Sequence, residues 1–323
     1  MKKTKLIRGL KLSLAFILAT SMSVGLAGCG EETVVQDESG ITVVSREEGS
    51  GTRNAFVELT GVMKDNVDKT TDKAEISNSN SVVIKSVWGN DGAIGYTSMG
   101  STPSGVKAIQ INGIEPTAEN VASGQYELQR PFNLVTMGQV DKLPQDFIDF
   151  VLSDEGQKII KNEGLVPVNA SGETYAKSAQ NDSSSIAKSI EPSAIQSTPY
   201  TTKSLEGTIT IAGSTSVAPV MENLVAEYKK LNENVNIEIQ QIGSAAGIQS
   251  AIQGTADIAM TSRDLTQDEM VEGIASTRIA LDGIAVIVNT NNEINNLTKE
   301  ELMKIFTGEI TQWSELQKSS NAN

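Results

Sequence analysis

Residues 208–228 read Thr208-Ile209-Thr210-Ile211-Ala212-Gly213-Ser214-Thr215-Ser216-Val217-Ala218-Pro219-Val220-Met221-Glu222-Asn223-Leu224-Val225-Ala226-Glu227-Tyr228. Thr208 to Ile211 alternate polar and apolar, as a half-buried strand does, while Met221, Leu224, Val225 and Tyr228 recur at the spacing of one helix face. Pro219 suits the first turn of that helix. The small residues Gly213 to Ser216 make the turn between the two. Strand, small turn and helix in succession predict an α/β fold.

The same unit recurs on either side. Val235, Ile237 and Ile239 alternate as a strand, and Gly243-Ser244-Ala245-Ala246-Gly247 leads into a helix carrying Ile248, Ala251 and Ile252. Asp257 to Thr261 and Ile284 to Val288 read as buried strands, and Thr298 with Glu301 forms a capping box for a helix through Phe306. Earlier, Ile41 to Val44 is a strand, Glu47-Glu48-Gly49-Ser50-Gly51-Thr52 a turn, and the run through Phe56 and Leu59 a helix. Pro144 opens a helical pattern with Phe147, Ile148 and Val151, and a further helix around Gln157 to Asn162 stops at Gly164. Strands alternating with helices predict largely parallel sheets. Between these regions, 169–206 is rich in Ser, Thr, Ala, Asn and Gln without periodicity and reads as a flexible linker. Its Ser185-x-x-Lys188 pattern is a chance match in a low-complexity stretch.

The N-terminus assigns a compartment. Lys2, Lys3, Lys5, Arg8 and Lys11 precede a mostly apolar run from Leu12 to Leu26, too short for a comfortable membrane span. It ends in Leu26-Ala27-Gly28-Cys29, which resembles a bacterial lipobox. By that resemblance, 1–28 is a signal peptide, lipid is attached at Cys29, and acidic, polar 29–40 is a tether from the membrane's extracellular face.

Composition excludes much. The chain has 323 residues and a net charge of −14, which argues against nucleic acid as a partner. It has no histidine, so Ser-His-Asp and Cys-His catalysis are excluded and the commonest zinc ligand is missing. Its single cysteine excludes an intramolecular disulfide. No metal, cofactor or catalytic residue is predicted.

Three turns carry the chemistry: Ser214-Thr215-Ser216, Gly243-Ser244-Ala245 and Gly49-Ser50-Gly51-Thr52. Each is predicted at a helix start, where unpaired backbone N–H groups and the helix dipole favour an oxyanion. Arg46, just before the third, can form a bidentate pair with such an anion. In isolation each hydroxyl is better read as a plain N-cap. The third turn lacks the lysine of a nucleotide P-loop. Ser50 as a hydrolase nucleophile would lack a histidine base, and Gly49-Ser50-Gly51 does not meet Gly-x-Ser-x-Gly.

Taken together, Gly213 to Pro219 resembles the opening motif of the periplasmic phosphate-binding proteins, and Ser45-Arg46-Glu47-Glu48-Gly49-Ser50-Gly51-Thr52-Arg53 resembles their second-lobe motif. Segments 243–247, 257–264, 297–313 and 89–96 are similar in character. The resemblance implies a two-lobed, type II-like periplasmic-binding-protein fold that captures inorganic phosphate for an ABC importer. It places ligand contacts at Thr215, Ser216, Ser244, Arg46, Ser50, Gly51 and Thr52, with Ser214 and Arg263 in support. The family's carboxylate that accepts the phosphate proton falls on Ser262. Either Ser262 accepts that proton, or Glu48 assists while holding Arg46. Other oxyanions such as sulfate or molybdate, and a sensor role without transport, are the alternative readings.

In that family the Gly-Ser-Thr-Ser segment comes first; here it comes second. The resemblance therefore implies a circular permutation, with 41–168 as the second half of the module, 207–317 as the first, and 318–323 as a polar tail. A linker of this length favours closure within one monomer. The rivals are a swapped dimer and a piece of a longer tandem protein.

Overall fold

The computed structural model describes residues 40–101, 105–168 and 199–320, all within the unit Glu38–Asn323. Ten strands form one mixed sheet. They are β1 (Thr42–Arg46), β2 (Glu75–Ser77), β3 (Ala93–Ser98), β4 (Val106–Ala108), β5 (Gln129–Met137), β6 (Val166–Pro167), β7 (Gly207–Gly213), β8 (Val235–Gln241), β9 (Ile258–Thr261) and β10 (Ile274–Asn289). Their order is β8-β7-β9-β5-β10-β3-β1-β2, with β4 and β6 pairing to β10 off this path.

The eight helices that matter for the site or its support are α1 (Gly51–Thr60), α2 (Asn80–Trp88), α3 (Lys142–Leu152), α4 (Asp154–Asn162), α5 (Ala218–Leu231), α6 (Ser244–Ile252), α7 (Lys299–Thr307) and α8 (Trp313–Ser320). Side-chain alternation along the strands divides the core into faces. Around β7, β9 and β5, Ile209, Ile211, Ile258, Met260 and Leu134 pack with α3, α4 and α5, while Ala259 and Val135 pack on the opposite face with Ile248 and Ala251 of α6. Around β1, β3 and β10, Val43, Ile94 and Val286 pack with α1 and α7, whereas Val44 and Ile287 pack with Val83 and Val87 of α2. Each lobe is thus a sheet covered by helices on both sides.

β5 and β10 carry the chain between the lobes. They pair antiparallel from Ile274↔Met137 to Gly283↔Gln129, with an irregularity between Arg278 and Ala280. The parallel pairings expected from sequence are present for β7 with β8 and β9, and for β1 with β2 and β3. The pairings of β5 with β9 and β10, and of β10 with β3, are antiparallel instead. The reason is connectivity: β5 and β10 cross between lobes in opposite directions. At the crossing, Arg130 Nε and Nη2 donate to Asp282 Oδ2 at 3.0 and 2.9 Å, and Ser98 Oγ donates to Oδ1 at 2.8 Å.

Both lobes draw on both halves of the chain. β5, from the first half, lies between β9 and β10, from the second. Part of the expected linker is docked: Tyr200 Oη donates to buried Asp146 at 2.6 Å, its ring lies 5.2 Å from that of Phe150, and Lys203 pairs with Asp146 at 2.8 Å. An aromatic ring with a buried carboxylate for its hydroxyl has reason to leave solvent. At the other end, α8 continues to Ser320, into what reads from sequence as tail. The signal segment, Cys29, most of the tether, linker residues 169–198 and tail residues 321–323 lie outside the described residues.

Candidate solute-binding cleft

The cleft is built where strands end. β1 ends at Arg46, β2 at Ser77, β7 at Gly213 and β9 at Thr261, and each delivers the chain to a helix start or to a residue facing one. Carboxyl ends of strands are where open α/β sheets hold ligands. Gly213 makes one junction possible: its φ is +143°, and a Cβ there would lie 2.1 Å from the Met260 carbonyl oxygen.

The α1, α5 and α6 starts lie where the three turns predict them. Ser50 caps α1, its Oγ accepting Arg53 N–H at 3.4 Å. Ser214 Oγ accepts Ser216 N–H at 3.2 Å and donates to Ser262 Oγ at 2.9 Å. Ser244 Oγ accepts Ser262 N–H at 3.3 Å. A fourth helix start, that of α2, joins them through Asn80.

Arg46 sits at the centre with 1% of its surface exposed. Its Nε and Nη2 donate to the two oxygens of Glu47, both at 2.8 Å. Nη1 donates to Asn80 Oδ1 at 2.7 Å. Two N–H groups then remain, directed at hydroxyls: Nη2 to Thr215 Oγ1 at 2.9 Å and Nη1 to Thr52 Oγ1 at 3.5 Å. Thr52 and Ser216 hydroxyls are 2.6 Å apart, and Asn80 Nδ2 donates to Ser216 Oγ at 3.0 Å. Thr215 and Ser216 belong to one lobe; Arg46, Thr52 and Asn80 belong to the other. Gly51 approaches so closely that a Cβ would lie 2.5 Å from Ser244 Oγ and 2.6 Å from Ser262 Oγ.

The backbone of Arg46 is held as firmly as its side chain. Tyr96 Oη accepts Arg46 N–H at 3.1 Å and pairs with Ser45 Oγ at 2.8 Å, while its ring stacks on Phe56 of α1 at 4.0 Å. Burial raises the Tyr96 phenol above its ordinary 10, against the pull of Ser45 and Arg46, so it stays a neutral hydroxyl. Arg53 Nη1 donates to the Arg46 carbonyl at 2.7 Å while Nε pairs with Asp68.

Two expected supporting residues are placed differently. Glu48 is exposed, and it is Glu47 that holds Arg46. The expectation that Glu48 holds the arginine is therefore corrected: β1 ends at Arg46, and Glu47 is the neighbour whose carboxylate closes on both nitrogens. Arg263 is taken up by Glu269, with both Nη atoms at 2.7 Å from its carboxylate. Asn80 and Glu47 do not stand out in the sequence as site residues. Ser79 before a Val82-Val83-Ile84-Val87 helical pattern was the available signal, since it marks one more helix start. Among the described residues no cluster of Cys, Asp and Glu side chains could hold a metal ion.

Two lobes, two crossing strands and a cleft of helix starts between them define a two-lobed solute-binding protein. The PBP superfamily domain model matches residues 34–155 and 195–323. The phosphate-binding protein PstS 2 of Streptococcus agalactiae is 42% identical over 311 residues, covering 94% of this chain and 97% of the relative. PstS 2 of Streptococcus pneumoniae serotype 4 is 40% identical over 300 residues, covering 91% and 94%. A crystal structure of the phosphate-binding protein of a phosphate ABC transporter from Streptococcus pneumoniae TIGR4 matches with a TM-score of 0.63 at 39% identity, covering 85% of this chain and 99% of that one. The chain belongs to the PBP superfamily and, within it, to the PstS family of phosphate-binding proteins.

Proposed function

We propose that this chain captures inorganic phosphate between its lobes and delivers it to the permease subunits of an ABC importer, from a lipid anchor on Cys29 at the outer face of the bacterial cell membrane. The observation that carries the reading is the Arg46 fork. Three of its N–H groups are bound within its own lobe, and the other two face hydroxyls where four helix starts converge. A tetrahedral oxyanion supplies acceptors for that fork and for the hydroxyls of Ser50, Thr52, Thr215, Ser216, Ser244 and Ser262, with Gly51 giving close backbone approach. Ser214 orients Ser262. Hydrogen bonds to a charged group contribute about 1.5–3 kcal/mol each. A Kd near or below about 1 μM, roughly −8 kcal/mol, is the expected balance after dehydration of the anion. The relatives named as phosphate-binding proteins favour phosphate over other oxyanions. No covalent step is involved, and the chain is not an enzyme.

The order of the halves is proposed to be a circular permutation closed within one chain. Its support is the insertion of β5 between β9 and β10, which brings the two halves into both lobes. Coverage of 97% of a streptococcal relative favours an order shared within this group.

The test is calorimetry on lipid-free residues 30–323 with phosphate and then sulfate near neutral pH. One phosphate per chain with sulfate silent is expected. Heat with sulfate alone would sink the phosphate reading. For the anchor, Cys29→Ala should shift the protein from the membrane fraction to the medium; an unchanged distribution would refute lipidation there.

A further inference from the structure

The interlobe cluster contains one side chain that no turn motif accounts for. Asn80 opens α2, is 97% buried, and makes two bonds of opposite sense. Its Oδ1 accepts from Arg46 Nη1 at 2.7 Å, and its Nδ2 donates to Ser216 Oγ on the other lobe at 3.0 Å. The first bond fixes the second, because an amide whose oxygen is held by a guanidinium must turn its NH2 the other way. Arg46 gains equally. Glu47 occupies Nε and one Nη2 hydrogen, and without Asn80 a third N–H of a buried guanidinium would lack its 2.7 Å partner.

Resting on the phosphate reading above, we propose that Asn80 is a specificity-determining residue of the cleft: it aims the two Arg46 N–H groups that face Thr215 and Thr52, and presents an NH2 donor, and no acceptor, toward the ligand. A neutral amide suits both tasks. Alanine would leave Arg46 short of an acceptor. Aspartate would keep that acceptor but turn a second, negatively charged oxygen toward the anion. The charged group in contact with this position is Arg46, whose Nε and Nη2 are already paired with the two oxygens of Glu47. A carboxylate at 80 would thus add a charged acceptor to a cleft whose other acceptors are neutral hydroxyls, able to accept a hydrogen bond from a protonated oxyanion but not from sulfate.

Asn80→Ala, Asn80→Ser and Asn80→Asp are titrated by calorimetry beside wild type, with phosphate and sulfate, between pH 5 and 8. Melting curves without ligand identify the folded variants. Asn80→Ala, or Asn80→Ser if alanine does not fold, should bind phosphate about 10- to 100-fold more weakly, the loss of one bond to a charged group. Asn80→Asp, taken as its affinity ratio to wild type, should lose more at pH 8 and recover toward pH 5. Its phosphate-to-sulfate ratio should rise. A merely structural asparagine would not move either ratio. Wild-type Kd values in the folded Ala or Ser variant, or an Asp variant with no pH dependence relative to wild type, overturn the assignment of Asn80 alone. A wild-type protein silent to phosphate overturns the phosphate reading itself.

Discussion

Arg46 shows how a charge can be buried and still remain available. Its guanidinium is desolvated, which is tolerable only because Glu47 and Asn80 satisfy three donors while the other two face only the neutral hydroxyls of Thr215 and Thr52, which a ligand can replace. Another buried arginine, Arg263, illustrates the other outcome. Glu269 closes on both its Nη atoms and also caps Thr266 N–H, so this pair locks a loop and leaves only the buried Nε of Arg263 without a partner. For Glu269, burial is the largest influence and raises its pKa, yet the bonds from Arg263 and Thr266 outweigh it and hold the carboxyl below its ordinary 4.5. A folded-state pKa below the unfolded one contributes stability at pH values above the unfolded pKa and loses it as pH falls through the folded one. Glu269→Gln is therefore expected to cost about 2 kcal/mol at pH 7. The gap to wild type should close as pH drops below 4.5, read from denaturant midpoints at several pH values. A gap that is constant down to acid pH would contradict the ionic account.

Among the elements, α1 bears most on binding. Its first residue, Gly51, meets Ser244 and Ser262 across the cleft, while its Phe56 stacks on the tyrosine that holds the Arg46 backbone. Within the helix itself, Gly51→Ala at the first position should be neutral or slightly favourable, well under the roughly 1 kcal/mol of an interior site. Across the cleft it would force the lobes apart, because the added Cβ would fall 2.5 Å from Ser244 Oγ. The expected signature is an unliganded melting temperature that is unchanged or raised, with phosphate affinity at least about tenfold lower, that tenfold corresponding to roughly 1.4 kcal/mol. An unchanged affinity would show that the lobes need not approach this closely when phosphate is bound. The α2 helix contributes to the same cluster through Asn80, which makes it as much part of the cleft as the three helices whose turns are rich in glycine and serine.

For the molecule as a whole, the interleaving of the two halves decides how the chain holds together. β5 pairs on both sides with strands of the other half, and Tyr200 and Lys203 dock the end of the linker on Asp146. The core around α3, α4 and α5 likewise mixes Phe147 and Phe150 with Met221, Leu224 and Tyr228. Covalent continuity between the halves should then matter little once the protein is folded. With a protease site introduced at Asn181-Asp182-Ser183, cleavage is expected to leave two fragments that co-elute and bind phosphate with unchanged affinity. Fragments that separate on a sizing column would refute closure through these contacts.

Much of this was legible in the chain order of residues, because local chemistry is read locally. The strands and helices around Gly213, Gly243 and Ser50, the Thr298 capping box, and the three helix starts follow from periodicity and cap residues separated by only a few positions. The helix start that follows Arg46, capped by Ser50, was legible for the same reason. What sequence alone did not determine depends on residues far apart along the chain. Asn80 lies 136 positions from Ser216, and Arg130 lies 152 from Asp282. The length of β10 was hidden because its first half, crossing between lobes, carries Ser276, Thr277 and Arg278 rather than an apolar run. Which glutamate holds Arg46 was likewise a tertiary matter: Glu47 and Glu48 are chemically alike, and only the direction in which β1 ends turns one toward the arginine and the other toward water.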